Sequence, residues 1–114
     1  MPLPSSGGIT LANILNQLEY INLDLLGFHS SEFIHYLVEA QKRAYLDRAL
    51  YLGDSDFVDV PIEKLISEEH ARNNFLSINP SKSTDSYELH PEYFSIINES
   101  EETTHYSIVD DFGN

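Results

Sequence analysis

The sequence predicts a mainly helical chain, and three observations carry that reading. Apolar residues recur at helical spacing through the first two-thirds of the chain, Ser and Thr stand where those stretches begin, and strand-like alternation is confined to the last dozen residues. Leu, Ile, Val and Phe supply 34 of 114 residues, well above the level of a disordered acidic chain. There is material for a core, and the length suits at most one domain.

The elements follow in order. Thr10 is a candidate N-cap for a short helix in which Leu11, Ile14, Leu15 and Leu18 recur at i, i+3, i+4 and i+7. Ser30 or Ser31 caps a longer helix running to about Leu52. Its apolar stripe is Ile34, Leu37, Val38, Tyr45, Ala49 and Leu52, widened by Phe33, Ala40 and Ala44. Gly53 is expected to close it in the left-handed conformation that glycine adopts at least cost. Glu39 and Arg43, four apart, read as a surface pair worth about 0.2–0.5 kcal/mol, as do Glu68 and Arg72. The segment Asp54-Ser-Asp-Phe-Val-Asp-Val-Pro reads as a turn stapled by Arg48, because it lacks the central Gly and closing Glu of a calcium loop. Pro61 opens a helical turn through Lys64 to Ile66. Ser67, with Glu69 in the first turn, opens a further helix that carries Ala71, Phe75 and Ile78 inward. The long helix is expected to pack against the Leu11–Leu18 helix and the Phe75 helix.

Composition shifts at Asn79. The stretch to Glu102 is rich in Ser, Asp and Glu, and no basic residue follows Lys82, so 79–102 is expected to be an irregular acidic linker. From Thr103 the character changes again. Thr104, Tyr106 and Ile108 alternate with Thr103, His105, Ser107 and Val109, which predicts one strand ending in a turn at Gly113-Asn114. A lone strand lacks a partner, so the pairing edge of a larger sheet is expected elsewhere.

Charge and residue types exclude several functions. Six basic against nineteen acidic residues give a net charge of −13, which disfavours nucleic acid and anionic membrane surfaces. With no Cys there is neither a thiolate nucleophile nor a thiolate metal site. His29, His35, His70, His90 and His105 include no i, i+4 pair and no HExxH arrangement, so no metal and no cofactor is expected. The first residues carry neither a basic nor an apolar signal-peptide region.

On residue type alone, Thr103 and Thr104 are strand residues. Position adds a second reading: Thr103 opens the strand behind a polar linker, where a cut would expose it as a new N-terminus. An N-terminal Thr is nucleophile and base in one residue, since its α-amino group, with a pKa of about 8, can take the hydroxyl proton.

Four blocks then resemble the γ-glutamyltranspeptidase (glutathione hydrolase) family in order and spacing. They are Pro4-Ser-Ser-Gly-Gly-Ile, Glu39-Ala-Gln-Lys-Arg-Ala-Tyr-Leu-Asp-Arg-Ala, Tyr51-Leu-Gly-Asp-Ser-Asp-Phe-Val-Asp-Val-Pro and Thr103-Thr-His-Tyr-Ser-Ile-Val-Asp-Asp-Phe-Gly-Asn. The sequence departs from the family at Leu3 and Ser55, where Pro is usual, and at Leu46, where a small residue is common.

The resemblance implies a piece of an αββα N-terminal-nucleophile hydrolase. Residues 1–102 would be the C-terminal segment of the large subunit and 103–114 the first strand of the small one. Self-cleavage would fall at Glu102-Thr103, and Thr103 would be the catalytic residue. The substrates implied are glutathione or other γ-glutamyl compounds, with water, amino acids or peptides as acceptors. The remaining large- and small-subunit segments are the implied protein partners. The family's Arg for the glutamyl α-carboxylate and its Gly-Gly oxyanion hole fall outside these residues, so the 114-residue piece is expected to be inactive by itself. The implied location is periplasmic, secreted or cell-surface. The alternative is a non-catalytic acidic helical interaction protein or a degenerate paralogue.

Overall fold

The computed structural model describes residues 3–90, 108–110 and 113. Six helices account for its regular structure: α1 (Gly7–Leu18), α2 (Leu23–Leu26), α3 (Ser31–Tyr51), α4 (Ile62–Leu65), α5 (Glu68–Leu76) and α6 (Ser86–Leu89). No strand occurs among the described residues. Of the expected strand, 103–107 lies outside them, while Ile108, Val109 and Asp110 form neither helix nor strand. Of the expected Gly113-Asn114 turn, Asn114 lies outside the described residues; Gly113 has φ 81° and donates its N–H to the Asp110 carbonyl at 3.0 Å.

Local chemistry sets the helix starts. Ser30 Oγ accepts from the Phe33 N–H at the head of α3, and Ser67 Oγ accepts from the His70 N–H at the head of α5. Asn22 caps α2 through the Asp24 N–H. Thr10 is not a cap: α1 begins at Gly7, and Thr10 lies inside it, donating its N–H to the Ser6 carbonyl at 3.0 Å. Ser6 is the N-cap residue, but its hydroxyl accepts from Arg48 Nε on α3 at 3.0 Å, so a tertiary contact replaces the local one. The linker is not irregular throughout, since Asp85 accepts from the Tyr87 N–H and starts α6.

Gly53 follows α3 as expected, but its φ is not positive. Close approach explains it instead: a Cβ there would lie 2.8 Å from Val58 Cγ2. The loop it begins is closed by Asp54, whose Oδ1 accepts from the Asp56 N–H at 3.0 Å.

α3 packs against α1 and α5, as the sequence predicts, and α4 sits against α1 and α5. Phe75 joins three segments: its ring stacks on Tyr20, just beyond α1, at 5.7 Å and on Tyr36 of α3 at 5.9 Å. The buried apolar residues are Leu18, Ala40, Ala44, Leu65, Ala71 and Ile78, three of them alanines, which lets the helices approach closely.

The faces chosen for burial differ from the expected ones. Leu11 and Leu15 of α1 and Ile34, Val38 and Tyr45 of α3 are exposed. The buried face of α3 is Glu39, Ala40, Arg43, Ala44 and Asp47, and that of α1 is Thr10, Asn13, Gln17 and Leu18. At 3.6 residues per turn, the buried side of α3 lies opposite the apolar stripe. The physical reason is that most of these polar side chains have partners across the helices, the exceptions being Thr10 Oγ1 and Gln17 Oε1, which are buried without one.

Candidate functional site

Glu39, Arg43 and Asp47 are spaced four apart, which aligns them on one side of α3, with Ala40 and Ala44 beside them leaving room. The expectation of a surface pair at Glu39 and Arg43 is corrected: Glu39 is 0% and Arg43 4% exposed, and Arg43 Nη1 lies 2.8 Å from Glu39 Oε2. For Glu68 and Arg72, no ion pair is formed among the described residues.

Glu39 accepts from several donors at once. Oε1 takes Lys42 Nζ at 3.0 Å and the Thr84 N–H at 2.9 Å, while Oε2 takes Arg43 and the Thr84 hydroxyl at 2.6 Å. Burial acts to raise the Glu39 pKa, but the Thr84 hydroxyl, the Arg43 guanidinium, the Thr84 N–H and Lys42 together outweigh it and hold the carboxyl at about 2. A residue with two donors on one carboxylate is fixed in both position and orientation.

The same side of α3 stitches down the chain from α5 to α6. Arg43 Nε donates to Ser77 Oγ at 2.6 Å and Nη2 to the Ser77 carbonyl at 3.0 Å. His35 Nε2 donates to the Asn79 carbonyl at 2.8 Å. Lys42 Nζ donates to the Ser83 hydroxyl at 2.9 Å and to the Thr84 carbonyl at 2.6 Å. Ser77–Thr84, the entry to the acidic linker, is therefore held along α3.

A second cluster surrounds Asp47. Its Oδ2 accepts from Asn13 Nδ2 of α1 at 2.8 Å and from His70 Nε2 of α5 at 2.7 Å, so one carboxylate oxygen ties three helices together. With that proton on Nε2, the Asn74 amide donates to Asp47 Oδ2 at 3.3 Å. Gln17 Nε2 extends the network to Asn13 Oδ1 at 2.7 Å and to the Ala40 carbonyl at 3.3 Å. This arrangement joins helices and lacks a nucleophile. Among the described residues, no group of three His, Asp or Glu is placed to hold a metal ion, and no helix is long and apolar enough to cross a membrane.

The sequence-predicted site residues Glu102 and Thr103 lie outside the described residues. What the sequence reading missed is the linker's anchor. The spacing of Glu39, Arg43 and Asp47 four apart places them on one side of a helix, but it does not name Thr84 or Ser77 as their partners.

Glu39 makes stability depend on pH, with a definite sign. Its folded-state pKa of about 2 lies below the ordinary 4.5. Its contribution is therefore complete above pH 4.5 and is lost as pH falls towards 2. At neutral pH the stabilisation is on the order of 3 kcal/mol. Urea unfolding of native and Glu39→Gln proteins should show a stability gap that narrows steadily between about pH 5 and pH 2; a constant gap would contradict the assignment.

The comparisons agree on one family. The profile for gamma-glutamyltranspeptidase matches residues 1–114. A glutathione hydrolase proenzyme of Pseudomonas sp. (strain A14) is 44% identical over 113 residues, covering 99% of this chain and 19% of that protein. The glutathione hydrolase proenzyme of Escherichia coli (strain K12) is 44% identical over 114 residues, covering 100% of this chain and 20% of that protein. The crystal structure of Helicobacter pylori gamma-glutamyltranspeptidase superimposes with a TM-score of 0.77 at 42% identity, covering 89% of this chain and 29% of that one. The chain thus spans about a fifth of the length of the curated relatives it matches. Sequence and helical architecture together place it in the γ-glutamyltranspeptidase family.

Proposed function

We propose that this chain forms part of a self-cleaving γ-glutamyltransferase of the relatives' length. Residues 1–102 end the large subunit, and 103–114 form the first strand of the small one within an αββα fold. The observation that carries the reading is the Thr103-Thr-His block, in register with three further family blocks and behind an acidic linker. Both relatives are named proenzymes, which supports a maturation step.

In the precursor, the Thr103 hydroxyl attacks the Glu102 carbonyl. The C–N bond breaks and an ester forms; water then opens that ester, leaving a Glu102 carboxylate and a free Thr103 amine. The freed amine accepts the hydroxyl proton in turnover, Thr103 attacks the γ-glutamyl carbonyl of glutathione or a related amide, and the amide C–N bond breaks as that proton passes to the departing amine. Water resolves the resulting ester by hydrolysis, and an amino acid or peptide resolves it by transfer. No metal or cofactor takes part. Both steps pass through an oxyanion whose donors, each worth about 2.7–4 kcal/mol, the family draws from elsewhere in the protein. The enzyme acts outside the cytoplasm, in the periplasm, at the cell surface or secreted, as the family does.

Intact-mass measurement tests the cleavage position. A precursor of the relatives' length should yield a light product beginning at Thr103 and a heavy one ending at Glu102. The 114-residue chain alone should keep its full mass on prolonged incubation. A light product with any other first residue would reject the site.

A further inference from the structure

α3 carries its charges inward and turns an uncharged side to solvent. Ile34, Val38, Gln41 and Tyr45 recur at i, i+4, i+7 and i+11, which lines them up on one side of the helix. Ile34 is 43%, Val38 39% and Tyr45 57% exposed, and Gln41 is exposed with them. The charged residues of the same stretch are engaged elsewhere: Glu39 and Arg43 are buried against each other, and Lys42 donates to Glu39 and Thr84. A helix side that faces water ordinarily carries the charges. In a chain with a net charge of −13, about three turns of helix with none on the outer side is the pattern of an interface.

Size decides what covers that side. From Ile34 to Tyr45 is about 17 Å of helix, about 10 Å wide, which gives a footprint under about 200 Å². Two separate molecules need about 800 Å² each to stay together, so this side is too small to hold a second copy by itself. A segment of the same polypeptide needs far less, because the backbone already confines it and no free translation or rotation is lost. Chain to supply such a segment is ample in a protein of the relatives' length, of which these residues span about a fifth.

Resting on the reading above that the chain is part of a longer protein, we infer that the Ile34–Val38–Tyr45 side of α3 seats a further segment of the same polypeptide. That segment comes from outside these 114 residues and presents aliphatic or aromatic side chains. α3 then lies between two layers. Its polar side meets α1 and α5, and its apolar side supplies the hydrophobic burial that the polar side forgoes.

The test uses the full-length protein in a cysteine-free background, to which this chain contributes no Cys of its own. Val38→Cys is reacted with a maleimide in native buffer and in urea; activity within about twofold of native shows that the variant is folded. Labelling should be at least about tenfold slower in native buffer than in urea. A smaller difference would overturn the inference. Protection that disappears on dilution would assign this side to a second copy and overturn it as well. If Val38→Cys lowers the soluble yield, Ile34→Cys is read in the same way. Photoreactive benzoylphenylalanine in place of Tyr45 locates the covering segment: the cross-linked peptide should come from outside residues 1–114, and one from within them would overturn the inference. The two claims fail separately. Fast labelling in a protein that still matures at Thr103 removes the inference and leaves the cleavage reading standing, whereas a light product with another first residue removes the cleavage site and leaves slow labelling intact.

Discussion

In a precursor of the relatives' length, Thr103→Ala should abolish both self-cleavage and release of γ-glutamyl groups. On the proposed mechanism one hydroxyl performs both attacks, so its removal should stop both. Thr104 carries the same group one residue along, but on the proposed cut it does not become the N-terminal residue. It would also have to attack from inside the chain, without the α-amine that serves as base. Turnover should fall by more than about a thousandfold, as removing a covalent nucleophile does elsewhere. Thr103→Ser keeps a hydroxyl and an N-terminal amine and should retain part of both activities. A γ-glutamyl amide with a chromogenic leaving group follows turnover, and gel mobility follows processing. Normal processing and activity in the Ala variant would move the nucleophile to another residue.

The largest expected effect on stability lies at Arg43. Its guanidinium donates to the Glu39 carbonyl and carboxylate and to the hydroxyl and carbonyl of Ser77, and it is 4% exposed. Arg43→Met fills much of the same volume but deprives a buried carboxylate of its guanidinium and a carbonyl of its donor. Breaking a buried pair in this way costs about 3–5 kcal/mol. Native domains hold about 5–15 kcal/mol in all, so the loss is a large share of the total. Its urea midpoint should fall by about 1–3 M. Arg43→Lys should recover only part of the loss, because an ammonium does not reproduce the fork that reaches Glu39 and Ser77 together. A midpoint shift below about 0.5 M for Arg43→Met would mean that the pair is solvated, contrary to its burial.

The starts of α3, α4 and α5 were legible in the sequence because caps and breakers are local, whereas that of α1 was misplaced at Thr10 and α2 was not foreseen. Ser30, Ser67 and Pro61 mark the starts of α3, α5 and α4, and each follows from chemistry within four residues of itself. α6 was missed although Asp85 offers the same kind of cap, because the acidic composition around it argued for a loop. The buried faces were not legible. Reading Ile34, Val38 and Tyr45 as the core stripe assumes that apolar residues choose the interface, a rule that fails where polar residues have partners on the facing helix. The partners of Glu39 lie partly at Thr84, and those of Asp47 at Asn13 and His70. None of these pairings can be inferred from α3 alone. The catalytic assignment came from the other direction: a motif carried it, and Glu102 and Thr103 fall outside the described residues.

The polar seam between α1 and α3 also determines how many ways these helices can meet. Two smooth apolar faces can slide past each other by a turn, about 5.4 Å, and exchange one set of contacts for a similar set. Here the same slide would pull Asn13 from Asp47 and Gln17 from the Ala40 carbonyl, leaving buried amide donors without their acceptors on α3. Each misaligned register thus loses contacts that the native one makes. The seam works as a lock with a single key position. A chain assembled this way gives up some hydrophobic stabilisation and gains uniqueness, so that everything attached to α3, including the Ser77–Thr84 segment, leaves from one place only.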